Sequence, residues 1–332
     1  MEHSGITKIS TFIFSCVLIF GCINNKKLKK SVAKKPNIVQ YRTPQFNADS
    51  AYSFIQKQVD FGPRVPNSDG HKKCGNYLVN TFQQYGAEVF LQEDVVQRYD
   101  GLDMYMKNII ASYNVDAYKR VLLCAHWDTR FMADYDTNKV NSPIIGANDG
   151  GSGVGVLLEI ARQININPIN IGVDIILFDV EDQGQPNSDS NIVKDSWCLG
   201  SQYWSKNPHE KNYFAEYGIL LDMVGAENAQ FTKEGASIYY APKIVDKVWD
   251  IAHKIGFSSY FSLDKTAPII DDHIYINNLI HIPTIDIVEY DINTHNKFNQ
   301  HHHRHSDDIE IIDVKTLKAV GQTVLEVLYS EK

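Results

Sequence analysis

RVLLCAHWDTRFMADY, Arg120 to Tyr135, begins apolar, and Val121 to Ala125 read as a buried strand. The run then breaks into His126, Trp127 and Asp128. A strand that ends in His-x-Asp can present a metal ligand together with the carboxylate that orients it. The same triplet also suits a surface histidine at a turn. Partners arriving from elsewhere in the chain must decide between the two.

The segments around this strand alternate between strand and helix. FNADSAYSFIQKQVDFG reads as a helix capped by Asp49 or Ser50, and the segment after it as a turn and a helix that stops at Gly86. EVFLQEDVVQRY and MYMKNIIASYN alternate polar with apolar residues and read as a hairpin. IGVDIILFDV, YGILLDMVG and IPTIDIVEY read as buried strands. GSGVGVLLEIARQI starts a helix right after Asp149-Gly150, APKIVDKVWDIAHKIGF is an amphipathic helix ended by Gly256, and VKTLKAVGQTVLEVLY is the closing helix. This pattern predicts an α/β fold. It is a single domain over residues 45–332, with a mostly parallel, twisted central sheet flanked by helices on both faces.

In such sheets ligands bind beyond the carboxyl ends of the strands. The strand 121–125 ends at His126, the strand 173–178 at Asp179, Glu181 and Asp182, and the strand 218–221 at Asp222. Asp149 sits at the mouth of a helix. Separate elements thus aim His or carboxylate at one edge. Plainer uses exist for each. Asp149 could cap its helix, Glu181-Asp182 could lie in a solvated turn, and QHHHRHSDD, Gln300 to Asp308, could be a surface cluster. Asp222 lies within an apolar run, and a buried carboxylate needs a cation or hydrogen bonds. Together these residues suit zinc, which takes His nitrogen and carboxylate oxygen and keeps one position open in catalytic sites. In an adjacent acid pair, one carboxylate can bind metal while its neighbour serves as general base.

Charge excludes one class of substrate. The chain has 332 residues and a formal charge of −8, but residues 22–42 hold six Lys, one Arg and no acid, so residues 43–332 carry −15. Such an acidic body argues against nucleic acid as a partner. At the N-terminus, ISTFIFSCVLIF is too short for a stable membrane span and suits a signal segment over residues 1–21. Ile19-Phe20-Gly21-Cys22 resembles a lipoprotein cleavage box, with Phe20 where a small residue is usual. A lipidated Cys22 followed by a basic, flexible tether (residues 22–44) would hold the protein at a membrane facing the periplasm of a Gram-negative bacterium. An uncleaved anchor is the alternative. Cys74, Cys124 and Cys198 form no disulfide framework and there is no CxxC, so any zinc must be held by His and carboxylates.

AHWD, GANDGGSG, DVEDQG, LLDMVGA and a late His-rich motif, in this order, resemble the zinc aminopeptidase and glutaminyl cyclase superfamily. WCLGSQYW and DDHIY look like the versions in glutaminyl cyclases of the animal type and their bacterial relatives. The resemblance implies an acyltransferase that converts N-terminal Gln of peptides or exported proteins to pyroglutamate and releases ammonia. It implies one Zn2+ per chain on Asp149, Asp182 and His303, with Glu181 as general base and acid, beside a network of Asp222 and Asp271. His126 and Asp222 match second-metal ligands of the aminopeptidases, positions that cyclases retain while binding one zinc. Asp128 and Asp307 stand with His126 as supports. Trp197 and His302 fall in the substrate pocket.

Two departures stand out. HRHSD replaces His-Thr-x-x-Asp, which leaves His301, His302 and His305 as rival ligands. DDHIY has Tyr275 where Pro is common, and INNLIHIP is a residue longer than usual. The alternative is a two-metal zinc aminopeptidase, whose relatives tend to have Ser where Asp271 stands. A non-catalytic module on this fold would be expected to lack one of Asp149, Glu181, Asp182 or His303, and all are present.

Overall fold

The computed structural model describes residues 43–187 and 189–331, which fall in one unit. The expected leader, Cys22 and the tether up to residue 42 lie outside the described residues. Among those described, no helix is long and apolar enough to cross a membrane.

The hairpin forms as expected, from β1 (Glu88–Gln97) and β2 (Asp103–Tyr113). After it come β3 (Arg120–His126), β4 (Gly172–Phe178), β5 (Tyr217–Asp222) and a short pair, β6 (Phe231–Lys233) and β7 (Phe261–Lys265). The last strand is β8 (Thr284–Val288). The main sheet has the order β1-β2-β4-β3-β5-β8, with β4, β3, β5 and β8 parallel and the hairpin antiparallel. The chain leaves β3 for β4 on one side and then crosses to β5 on the other. That reversal puts a crevice at the carboxyl end of β3, where His126 sits.

Alternation along β3 divides the core in two. Val121, Leu123 and Ala125 face the larger cluster, together with α1 (Ala48–Val59), α2 (Asp69–Gln84) and α3 (Gly151–Ile166). Leu122 and Cys124 face the smaller one, which includes Trp204 of α4 (Leu199–Lys206). Cys124 is therefore packing, as a thiol in an apolar strand should be. Truncating Leu123 to Ala in such a core costs about 2–5 kcal/mol. Helices α5 (Gly235–Tyr240), α6 (Pro242–Lys254), α7 (Asp272–Tyr275) and α8 (Val314–Ser330) complete the two covered faces.

Two local readings change. The cap of α1 is Asn47, whose side chain accepts Ser50 N–H at 3.1 Å, and not Asp49 or Ser50. Asp49 instead falls in the first turn, where an acid favours the helix dipole. The extra residue in INNLIHIP is taken up by a π-helical turn, Ile276–Ile280, after α7. Such a turn bonds one residue further along than an α-helix does. The pair β6–β7 escaped the sequence reading, since three and five partly polar residues show no period.

Candidate active site

The residues of the opening stretch build one corner of the site. His126 ends β3 and is buried; its Nε2 lies 3.2 Å from Asp222 Oδ1 and 3.2 Å from Asp149 Oδ1. Asp128 does not orient this ring by a hydrogen bond, since its Oδ1 is 3.6 Å from Nδ1. It accepts instead from the backbone N–H of Glu181 (3.1 Å) and of Asp182 (3.2 Å), and from Gln183 Nε2 (3.0 Å). Asp128 thereby fixes the acid pair itself. Gly150 precedes α3 at φ +81°, and a Cβ there would meet Asp128 O at 2.7 Å and the His126 ring at 2.9 Å. Asp149 makes no helix cap, so that plainer reading falls.

Beyond β4 the chain sorts its acids. Asp179 turns away and binds His71 Nε2 at 2.9 Å and Lys107 N–H at 2.7 Å, so it does not join the site. Asp182 Oδ1 lies 3.0 Å from His303 Nε2, and Asp149 Oδ2 lies 3.7 Å from it. Asp149 Oδ2 and Asp182 Oδ2 are buried without a hydrogen-bond partner. An unpartnered Asp149 oxygen and an Asp182 carboxylate that both approach one imidazole nitrogen suit a divalent cation. The other face of His303 meets Asp134, with 3.2 Å between Nδ1 and Oδ1. Arg130 clamps Asp134 through Nε (2.9 Å) and Nη2 (2.7 Å), and donates to the Asp182 and Gly184 carbonyls at 3.0 Å each. Burial pushes the Asp134 carboxyl up, but His303 and Arg130 hold it well below the usual range.

The rival histidines sort by geometry. His305 Nδ1 pairs with Asp136 at 2.6 Å, and His301 Nδ1 with Ser306 at 2.8 Å, both away from the acids. His302 does enter the pocket, with Nε2 3.8 Å from Asp149 Oδ2, and with Asp149 and His303 it forms a group able to hold a metal, so it alone stays a rival ligand by position. Asp307 accepts the N–H of Asn148 (2.7 Å) and of Asp149 (3.0 Å), which holds the Asp149 loop.

Behind Glu181 lies a buried acidic cluster. One oxygen of Glu181, one of Asp271 and the Cys198 sulfur lie within 4.8 Å of one another. The Cys198 thiol donates to Glu181 Oε1 at 3.1 Å. Burial pushes the Glu181 carboxyl well above its ordinary range; His126 opposes this, while Asp182, Asp271 and Asp272 add to it. Asp271 shares a second cluster with His273 and Asp286, and His273 Nε2 reaches Glu234 at 3.4 Å. Backbone strain gathers here too. Val180, Cys198, Met223 and His303 adopt φ of 55°, 58°, 48° and 53°, each at or beside a site residue.

Glu181, Asp182, Asp149, Asp222, Asp271, Trp197, His302 and His303 thus line one cleft of about 430 Å³. The Trp197 ring stacks on His303 at 5.9 Å with Arg130 over its face at 4.4 Å. Gly184 permits this, since a Cβ there would lie 2.0 Å from the Trp197 ring. Sequence reasoning missed Arg130, Asp134, Cys198, Asp286 and Asn296. Asp286 carried a signal: it is an acid inside the apolar run TIDIV, as Asp222 is inside its own.

A parallel sheet whose carboxyl edge gathers histidine and carboxylates defines an α/β metalloenzyme scaffold. The chain belongs to peptidase family M28, whose family model matches residues 108–328. It is 50% identical to a Zn-dependent exopeptidase from Parabacteroides distasonis, with a TM-score of 0.86 over 87% of this chain and 100% of that one. It is also 50% identical to the glutaminyl cyclase of Bacteroides thetaiotaomicron, solved bound to N-acetylhistamine; the TM-score is 0.86, over 88% and 100%. A Bacillus subtilis aminopeptidase, YwaD, is 27% identical over 80% of this chain and 54% of that protein. The chain spans about half the length of the curated relatives it matches.

Proposed function

We propose that the chain is a glutaminyl-peptide cyclotransferase, closing the N-terminal glutamine of a peptide to pyroglutamate with release of ammonia. The observation that carries this reading is the buried Asp271 beside Glu181, with Asp286 behind it. Carboxyls this close cannot all ionise, so the group holds protons. A proton-holding cluster suits a reaction that moves a proton from an amine to departing ammonia and consumes no water. The likeness to a glutaminyl cyclase over 88% of this chain supports the same choice.

Asp149, Asp182 and His303 would hold one zinc per chain, because a carboxylate oxygen of each Asp approaches His303 Nε2 and Asp149 Oδ2 has no other partner. Zinc, when bound, supplies Lewis-acid polarisation of the γ-carbonyl. Glu181 takes a proton from the α-amine and returns it to the leaving nitrogen. Asp271 and Asp222 make up the carboxyl network around it. Trp197, Tyr135 and Phe298 wall the cleft and keep a flexible side chain in ring-closing shape, which can contribute as much as the proton step.

One observation favours the aminopeptidase reading: His126, Asp149 and Asp222 form a second group able to hold a metal. Two variants test the roles of the acid pair, and a third separates the readings. Glu181→Gln should lower turnover by about 10²–10⁴-fold and keep zinc, whereas Asp182→Ala should lose zinc. Asp271→Ser should cripple cyclisation while the protein stays folded. A fully active Asp271→Ser enzyme, or two zincs per chain with release of free amino acids, would favour the aminopeptidase.

A further inference from the structure

His302 adjoins a proposed metal ligand in sequence but is built for another task. Its ring stacks on His303 with 3.7 Å between ring centres, and is flanked by Phe298 at 4.8 Å and Tyr135 at 5.6 Å. A neighbour fixes its tautomer. Phe298 N–H donates to Asn296 Oδ1 at 3.3 Å, which turns the Asn296 amide nitrogen toward His302. Asn296 Nδ2 then donates to His302 Nδ1 at 2.7 Å. A nitrogen that accepts carries no proton, so the neutral ring carries its proton on Nε2. A doubly protonated ring would set Nδ1–H against the Asn296 N–H.

Nε2 faces the cleft. At 3.8 Å from Asp149 Oδ2 it is beyond hydrogen-bond length, and it has no hydrogen-bond partner among the described residues. The side chain is only 9% exposed and lines the cleft, so this donor is presented to whatever occupies the cleft. A protonated Nε2 also has no lone pair to offer a metal. This separates His302 from His303, whose Nε2 faces Asp182 while Nδ1 faces Asp134.

We propose that His302 is a catalytic hydrogen-bond donor: its Nε2–H binds the γ-carbonyl oxygen of the N-terminal glutamine and stabilises the charge that develops there. This rests on the cyclase reading. As the α-amine attacks, a C–N bond forms at the γ-carbonyl carbon and negative charge gathers on its oxygen. The bond to the amide nitrogen then breaks and ammonia leaves. The amine proton travels through Glu181 to that nitrogen, and the His302 proton stays in place throughout. A fixed donor aimed at developing charge needs no reorganisation during the reaction. Asn296 is the positioning residue that keeps the proton on Nε2.

Nitrogen NMR of the zinc-loaded enzyme labelled with 15N-histidine reads the tautomer directly, with the His302 signals assigned by their loss in His302→Phe. The expected pattern is a protonated Nε2 and a bare Nδ1. His302→Phe should lower kcat on a Gln-initiated peptide by about 10²–10³-fold with zinc content unchanged. His302→Gln, which restores an N–H donor, should recover part of it. Asn296→Asp supplies an acceptor instead, so it should place a proton on Nδ1 and lower kcat. A proton on Nδ1 in active wild type, zinc loss in His302→Phe, or equal rates for Phe and Gln at position 302 would overturn the donor role. A wild type that carries Nε2–H yet forms no pyroglutamate would overturn the cyclase reading, and with it the substrate assigned to the donor.

Discussion

Asp134 stands 3.2 Å from Nδ1 of His303, on the side of the ring opposite Asp149 and Asp182. A carboxylate beside the far nitrogen of a ligating imidazole raises its basicity as a ligand. Asp134→Ala should therefore weaken zinc binding by about 10–100-fold, read by competition with a chelator. Arg130→Lys should mimic part of this loss, because an ammonium cannot reproduce the two-pronged grip on Asp134. Unchanged zinc affinity in both variants would show that the pair only packs.

Acid stability should reveal the anchor of the pocket wall. Glu234 accepts N–H bonds from Ala236 (2.7 Å), Ser237 (2.6 Å) and Ile269 (2.8 Å), and Ile269 lines the cleft. Burial alone would raise this carboxyl, but the His273 ring and the backbone donors pull it down to about 2. A depressed carboxyl stabilises the fold fully above its unfolded pKa, roughly 4.3, and this contribution fades as pH falls through 2. Glu234→Gln should cost on the order of 2 kcal/mol at pH 7, allowing for solvent screening. Denaturant titrations should show that gap closing between pH 4 and pH 2. A gap independent of pH would assign the loss to packing instead.

We propose that the protein is exported and anchored through a lipidated Cys22, on the strength of the apolar segment that ends at Gly21-Cys22. Mass spectrometry of the mature protein should find Cys22 as a lipidated first residue. Cys22→Ser should release a soluble, active enzyme. An intact Met1 on the mature protein would rule cleavage out.

Legibility followed regularity. Every expected strand of the main sheet formed, because runs such as Val121–Ala125 and Val173–Phe178 are apolar throughout and end abruptly. The strand-end rule then located His126, Glu181, Asp182 and Asp222. It overreached at Asp179, whose side chain left the edge for His71. Arg130 and Asp134 were printed in the opening stretch, yet they lie in irregular chain, where spacing says nothing about direction. The further role of Asp128 is hidden for a related reason. Its partners are backbone N–H groups of Glu181 and Asp182, and no side-chain pattern announces those. His302 was placed in the pocket, but its tautomer depends on the amide orientation of Asn296, which only three-dimensional contacts reveal.

The central claim is that Glu181 and Asp271 serve a ring closure without water, on a scaffold shared with peptidases. Product mass after reaction of a Gln-initiated peptide in 18O-labelled water tests it most directly. The account predicts one product, lighter than the substrate by one ammonia and free of 18O, with ammonia released in equal amount. Free glutamine and a shortened peptide, with 18O in the carboxylate formed at the cleaved bond, would contradict it and make the protein an aminopeptidase.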